Sequence, residues 1–256
     1  MAERTLEQLR QQAATAHRIL AMTGSMNDTT GHVLVRVPGT NEFLARGRNA
    51  GDWSPRHVEP QAMRKVDLDG NKTEDWADYA PPPERFIGAE IFRQRPEVNV
   101  AIHAPPPAQV LCGNIGVPLQ PIVGSQNWGG SFIAAKGVPI YPRSLLIHSP
   151  SLGRAVAATL GNRDAVLLKQ HGNVVVGRSI EEATVRAIQL ENLARMCWQI
   201  RLTGKTPPNI PFEDMEDMAE MSIQPQRLGG GPEWQWRYYE QLLEHGGAID
   251  AEIERD

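Results

Sequence analysis

Apolar residues recur every three or four positions at the start of the chain. Leu6, Leu9, Ala13, Ala16, Ile19 and Leu20 fall on one face. That spacing predicts an amphipathic helix, and Gly24 supplies a stop. The period then shortens. Residues 32–37 are rich in β-branched side chains and read as a strand, with Pro38 and Gly39 as a turn and residues 43–46 as a hairpin partner. A loop rich in Gly, Pro and Asp runs from Gly47 to about Pro60. Val66 to Leu68 is a short strand, and Asp69-Gly70-Asn71 is a strong turn signal.

Pro81 to Pro83 lead into a helix predicted over residues 84–95, which Pro96 ends. Val98, Val100 and Ile102 alternate, so a strand delivers His103 at its end; three prolines, Pro105 to Pro107, follow at once. Ser149 and Pro150 fit the N-cap and first position of another helix, closed at Gly161 and Asn162. Residues 165–168 and 174–176 are two apolar strands flanking the connection that carries His171 and Gly172. Ser179 and Glu182 predict a capping box for a long helix reaching about Leu202. From Gly204 the composition shifts to prolines, an acidic Met-containing stretch (213–221) and the run Gly229 to Gly231. A final helix over about 233–244 carries Trp234, Trp236, Tyr238 and Tyr239. The pattern predicts an α/β chain of three α/β/α layers over residues 1–203. Residues 204–256 form an arm that packs on the core or on a neighbouring subunit.

Composition removes whole classes of function. The 256 residues carry 26 Lys and Arg against 30 Asp and Glu, a net charge of −4, so no basic footprint for nucleic acid is present. No apolar run is long enough to span a membrane, and the first dozen residues hold no signal-like apolar stretch; a cytoplasmic protein is expected. The two cysteines, Cys112 and Cys197, lie too far apart for a paired motif and read as buried hydrophobes. No GxGxxG motif is present, which argues against dinucleotide binding. The 20 Pro and 23 Gly exceed the ordinary share of about 12%.

Chemistry concentrates on few side chains. His103 ends a strand and His171 sits in a tight connection, both places that put a ring on a rigid rim. The run of residues 31–36, then 66–70, then Glu84 and the strand ending at His103, then Leu167-Leu-Lys-Gln-His-Gly172, resembles the class II aldolase/adducin family. The resemblance covers roughly residues 5–203. It implies a largely antiparallel central sheet and a homotetramer with small-molecule sites in clefts between subunits. It also implies a divalent metal, zinc or manganese, with His103 and His171 as ligands and Glu84 as the acid/base.

One position departs from that pattern. The family places a second histidine two residues after the first, and this chain has Pro105 there, which offers no side-chain donor. Three outcomes stay open: Glu84 completes a two-His, one-carboxylate set of the kind associated with iron; His148 or His57 swings in; or the metal is lost. The loop before His32 offers substrate contacts, with Thr30, His32 and Arg36 as candidates; a structural ion pair is the alternative reading of Arg36 and Arg85. His32 stands where sugar-phosphate enzymes of the family have asparagine, and resembles branches acting on aromatic or carboxylate-bearing acids. The expected activity is carbon–carbon bond cleavage, retro-aldol or decarboxylative. Two alternatives are an iron oxygenase acting on an aromatic acid and a non-catalytic adducin-like assembly module.

Overall fold

Helix α1, Leu6–Met22, forms where the three-and-four spacing places it. Thr5 caps it reciprocally: its hydroxyl accepts the Gln8 N–H, and the Gln8 side chain accepts the Thr5 N–H. The computed structural model describes residues 4–51, 54–124, 127–222 and 231–246, so Gly229 and Gly230 of the predicted glycine run lie outside the described residues.

Among the described residues seven strands make one sheet: β1 His32–Arg36, β2 Glu42–Arg46, β3 Met63–Asp67, β4 Val100–Ala104, β5 Ile140–Tyr141, β6 Ala165–Leu168 and β7 Gly172–Gly177. Their order is β3-β2-β1-β4-β7-β6-β5, and only β5 and β6 pair in parallel. The helices are α2 Arg85–Gln94, α3 Pro107–Ile115, α4 Trp128–Ala135, α5 Pro150–Leu160, α6 Ile180–Leu202, α7 Phe212–Ser222 and α8 Pro232–Glu244.

Both sheet faces are buried. Val33, Val35, Ile102, Ala104 and Val175 meet α1, α3, α4 and α6 on one side. Leu34, Ala101, Val174 and Val176 meet α2 and α5 on the other. The fold is therefore three-layered α/β/α around a mostly antiparallel sheet. Double burial explains why the central strands read as apolar runs without polar alternation. Trp236 of α8 joins the first core cluster, so this helix lies on the body of the same chain.

The structure differs from the sequence reading in places. Helices α3 and α4 and the short β5 fill a region where the apolar pattern predicts no element. α3 hides behind three prolines, one of which, Pro107, is its first residue. α4 contains Gly129 and Gly130, poor helix formers. It forms because it packs on α6: a Cβ on Gly130 would stand 2.7 Å from the Gln189 carbonyl oxygen. The acidic stretch proves to be α7. The predicted box at α6 is half made. Ser179 accepts the Glu182 N–H, but the Glu182 carboxylate turns to the Arg178 N–H instead of the cap's own.

One buried histidine ties α1 to the sheet. His17 donates from Nδ1 to the Ala13 carbonyl (2.8 Å) and accepts the Val33 N–H at Nε2 (3.1 Å). Acceptance at Nε2 requires a neutral ring. Burial and then the field of Arg46 bring its pKa down from 6.5 to about 3. The unfolded chain takes up this proton near pH 6.5 and the fold does not. The stability His17 contributes is whole above that pH and falls on acidification toward about pH 3, by up to about 1.4 kcal/mol per pH unit. Denaturant titrations at pH 7.5 and 5 should show a steeper loss for the wild type than for His17→Asn, which starts lower.

Candidate active site

The antiparallel register sets His32 of β1 directly opposite His103 of β4. Both rings lie on the α2 face of the sheet, stacked with centroids 6.5 Å apart. His171 arrives from the β6–β7 turn, edge-on to His103 at 4.9 Å. That turn holds Gln170 in the left-handed region (φ 56°). Its Gly172 lies so close to the β4 end that a Cβ would stand 2.2 Å from the Ala104 carbonyl oxygen and 3.1 Å from Pro105 Cα. The glycine after His171 is thus a packing requirement: no side chain fits where β7 leaves the turn.

Glu84 completes the cluster. It occupies the cap position of α2, but its carboxylate makes no cap bond and turns inward. Oε2 lies 3.2 Å from His103 Nε2, and Oε1 lies 3.2 Å from His171 Nε2 and accepts the Ile147 N–H at 3.0 Å. Burial pushes the Glu84 carboxyl up, but the bonds from His103 and His171 outweigh it and hold the group well below the usual carboxylate range. Burial likewise lowers His103, and the bond to Glu84 reverses this and raises it. His103 Nδ1 donates to the Asn173 carbonyl at 2.7 Å, which leaves Nε2 facing Glu84.

Two imidazole nitrogens and a carboxylate converge here, and among the described residues no other such cluster exists. Donors about 2.1 Å from one cation stand about 3.0 to 3.4 Å apart between octahedral and tetrahedral angles. Each imidazole nitrogen stands 3.2 Å from a different oxygen of the one carboxylate, and one ligand atom from each of the three residues lies within 4.8 Å of the others. The donor set fits a divalent cation, and two neutral nitrogens with one carboxylate suit zinc, manganese or iron.

The other expected residues are placed differently. His57 and His148 are exposed and belong to no cluster with the pair. Of the three candidates for a third donor, Glu84 alone stands beside both rings. Thr30 is exposed, its hydroxyl on the Asn27 carbonyl in the loop before His32. Arg36 sits at the far end of β1 from His32. There its guanidinium binds the carbonyls of Phe92 (2.7 Å), Val98 (3.1 Å) and Arg95 (3.3 Å) and covers the Phe92 ring. This corrects its assignment to the substrate: Arg36 clamps the α2–β4 turn, and Arg85 similarly binds the Gly70 and Pro82 carbonyls. Arg36→Ala should cost about 1–3 kcal/mol of stability through the three released carbonyls. It should leave KM unchanged, which denaturation and steady-state assays together would test.

The sequence reading passed over three polar residues. Arg48 is half-buried, bonds the Thr29 carbonyl (2.7 Å) and pairs through its backbone with Ala80, just ahead of the prolines that lead to Glu84. Burial first, and then the field of Arg48, holds His32 well below pH 6.5, so this ring is neutral. Its Nδ1 is buried without a hydrogen-bond partner among the described residues. Asn173 and Gln109 lie on the opposite sheet face, behind His103. The signals were present, an arginine in a loop and an asparagine two places after His171, but only the fold shows what they face.

This fold and this site define a class. The model of the class II aldolase and adducin N-terminal domain matches residues 11–198, and the chain belongs to that family. It is similar to the 3,4-dihydroxyphthalate decarboxylase of Arthrobacter keyseri, 34% identical over 83% of this chain and 86% of the relative. The decarboxylase of the same name from Rhodococcus jostii (strain RHA1) is 32% identical over 86% and 92%. Among solved structures, the L-fuculose 1-phosphate aldolase of Glaciozyma antarctica PI12 shares the fold, with a TM-score of 0.73 and 19% identity over 94% and 92% of the two chains. The protein is a carbon–carbon lyase of this family.

Proposed function

We propose that this protein decarboxylates a dihydroxy-aromatic dicarboxylic acid of the 3,4-dihydroxyphthalate type. The observation that carries the reading is a carboxylate held ionised between two imidazoles, beside a third, neutral imidazole on the same sheet face. The resemblance to two decarboxylases supports it.

Loss of an aryl carboxylate as CO2 needs a proton at the ring carbon it leaves and a place for the electron pair. An ionised hydroxyl next to the departing group pushes electrons into the ring so that this carbon takes the proton; the dienone so formed then accepts the electron pair of the breaking C–C bond, and the phenolate is restored as CO2 leaves. Glu84, ionised at rest, takes the phenolic proton. It passes that proton on to the ring carbon that the carboxylate leaves. His32, neutral and buried, donates a hydrogen bond to a substrate oxygen without adding positive charge. Arg48 meets the carboxylate that stays, and Thr30 lines the entrance. Glu84, His103 and His171 would hold a divalent cation, which supplies stabilisation of the developing phenolate charge.

The protein works as a homotetramer in the cytoplasm. Phe212, Trp234 and Tyr238, exposed at 73%, 56% and 48%, support burial between subunits. Sedimentation showing only monomer would remove this part. The chemical test is direct: supply 3,4-dihydroxyphthalate and, separately, fuculose 1-phosphate, and follow CO2 and aldehyde. CO2 with a dihydroxybenzoate product supports the reading; aldehyde from the sugar phosphate alone overturns it. Because two histidines and one carboxylate also suit iron, substrate-dependent oxygen uptake without CO2 would favour oxygenase chemistry.

A further inference from the structure

We propose that Gln109 and Glu191 are positioning residues for His103, acting through Asn173 from the opposite face of the sheet. The proposal rests on the reading of Glu84, His103 and His171 as the working site.

The chain of contacts starts at the His103 ring. Its Nδ1–H is held by the peptide oxygen of Asn173 at 2.7 Å. Successive side chains of a strand point to opposite faces. Val174 packs with α2 and α5, so the Asn173 side chain enters the other layer. There its two atoms are both used. Oδ1 accepts the N–H of Ala104, the residue after His103, at 3.2 Å, and Nδ2 donates to Gln109 Oε1 at 2.8 Å. The peptide that holds the ring is therefore anchored by its own side chain to α3.

The anchor is itself held. α3 starts at Pro107 after Pro106, a cap residue with no side-chain acceptor, and a helix start leaves N–H groups to be satisfied. Glu191 of α6 supplies the acceptor. Its carboxylate takes the N–H of Ala108 at 3.1 Å and of Gln109 at 3.3 Å, with Arg195 at 3.2 Å from the same group. A negative charge is favourable at that end of a helix. Glu191, Gln109 and Asn173 are each 1% exposed or less. The side-chain link runs from Asn173 to Gln109, Glu191 holds the Gln109 backbone, and Gln109 Nε2 is left without a hydrogen-bond partner among the described residues. Capping alone needs one Ser or Asp at position 106. What the longer arrangement adds is a fixed position for one carbonyl, and so one ring orientation and one tautomer of His103.

The test uses full-length protein with 15N-labelled histidine. In the wild type the His103 Nδ1 proton should exchange slowly with water. Gln109→Met, which keeps the length but loses the acceptor, should speed that exchange about tenfold. It should also weaken zinc or manganese binding about 10- to 100-fold, the usual effect of losing a partner behind a ligand. Gln109→Glu keeps the acceptor and should restore both toward wild type. Should Gln109→Met fail to fold, Glu191→Gln, which retains one carbonyl acceptor, is read the same way and should give a smaller shift in the same direction. Exchange and metal affinity both within twofold of wild type in the folded variant would overturn the proposal. A wild type that takes up none of zinc, manganese or iron would overturn the metal-centre reading instead, and the exchange rate alone then decides on Gln109.

Discussion

Glu84→Gln is expected to lower kcat/KM by about a thousandfold or more and to weaken divalent-metal binding, with little change in thermal stability. The carboxylate is the one group that touches both imidazoles, at 3.2 Å each. The amide keeps the shape and can still accept the Ile147 N–H. It brings no charge, however, and its NH2 can neither bind a cation nor take a phenolic proton. Losing a proton-transfer group costs about 10²- to 10⁴-fold, and weakening a metal ligand adds to it. Steady-state kinetics beside a metal titration would measure both. Activity within tenfold of wild type would remove Glu84 from the chemistry and leave it a structural link between two rings. The opposite failure, lost activity with unchanged metal affinity, would separate proton transfer from ligation.

Gly172→Ala should be the most damaging single-methyl change near the site. The added Cβ would stand 2.2 Å from the Ala104 oxygen and 2.9 Å from its carbon, and both are backbone. Relief requires β7 and the β4 end to part, which displaces His171 and the Asn173 carbonyl that holds His103. Such overpacking costs about 1–3 kcal/mol, with backbone strain in addition. Activity should fall at least a hundredfold, because displacements of about 1 Å at the reacting groups carry penalties of that size. Denaturant unfolding and kcat/KM on one preparation would check this. A fully active, equally stable variant would show that the turn is freer than its geometry implies.

The strands and long helices were readable because their signals are local. Val98, Val100 and Ile102 announce β4, and Ser149-Pro150 announces α5 through chemistry that needs no tertiary context. α4 was not readable, since two glycines argue against a helix until α6 is packed over them. A strand end and a glycine turn drew attention to His103 and His171, whereas Glu84 was legible only through the family resemblance, since a carboxylate in a first helical turn otherwise reads as structural. Arg36 misled for the same reason that Arg48 was missed. A charged residue advertises charge, and only the fold tells whether carbonyls or a cleft receive it. Pro105 marked a missing donor, and the carboxylate that stands beside both rings lies 21 positions earlier in sequence, at the mouth of α2.

The β4–β7 pairing has a consequence for how the molecule assembles. Asn173 lies 70 positions beyond the His103 it supports, and Ile147 lies 63 beyond Glu84. Nothing short-range can gather these residues. Closing such long loops precedes any reward from the contacts they make, and chains rich in such contacts fold slowly. Helical signal should therefore return on refolding well before catalytic competence. A cation could then act as a late latch on a nearly finished sheet, but not as the seed around which the chain first condenses.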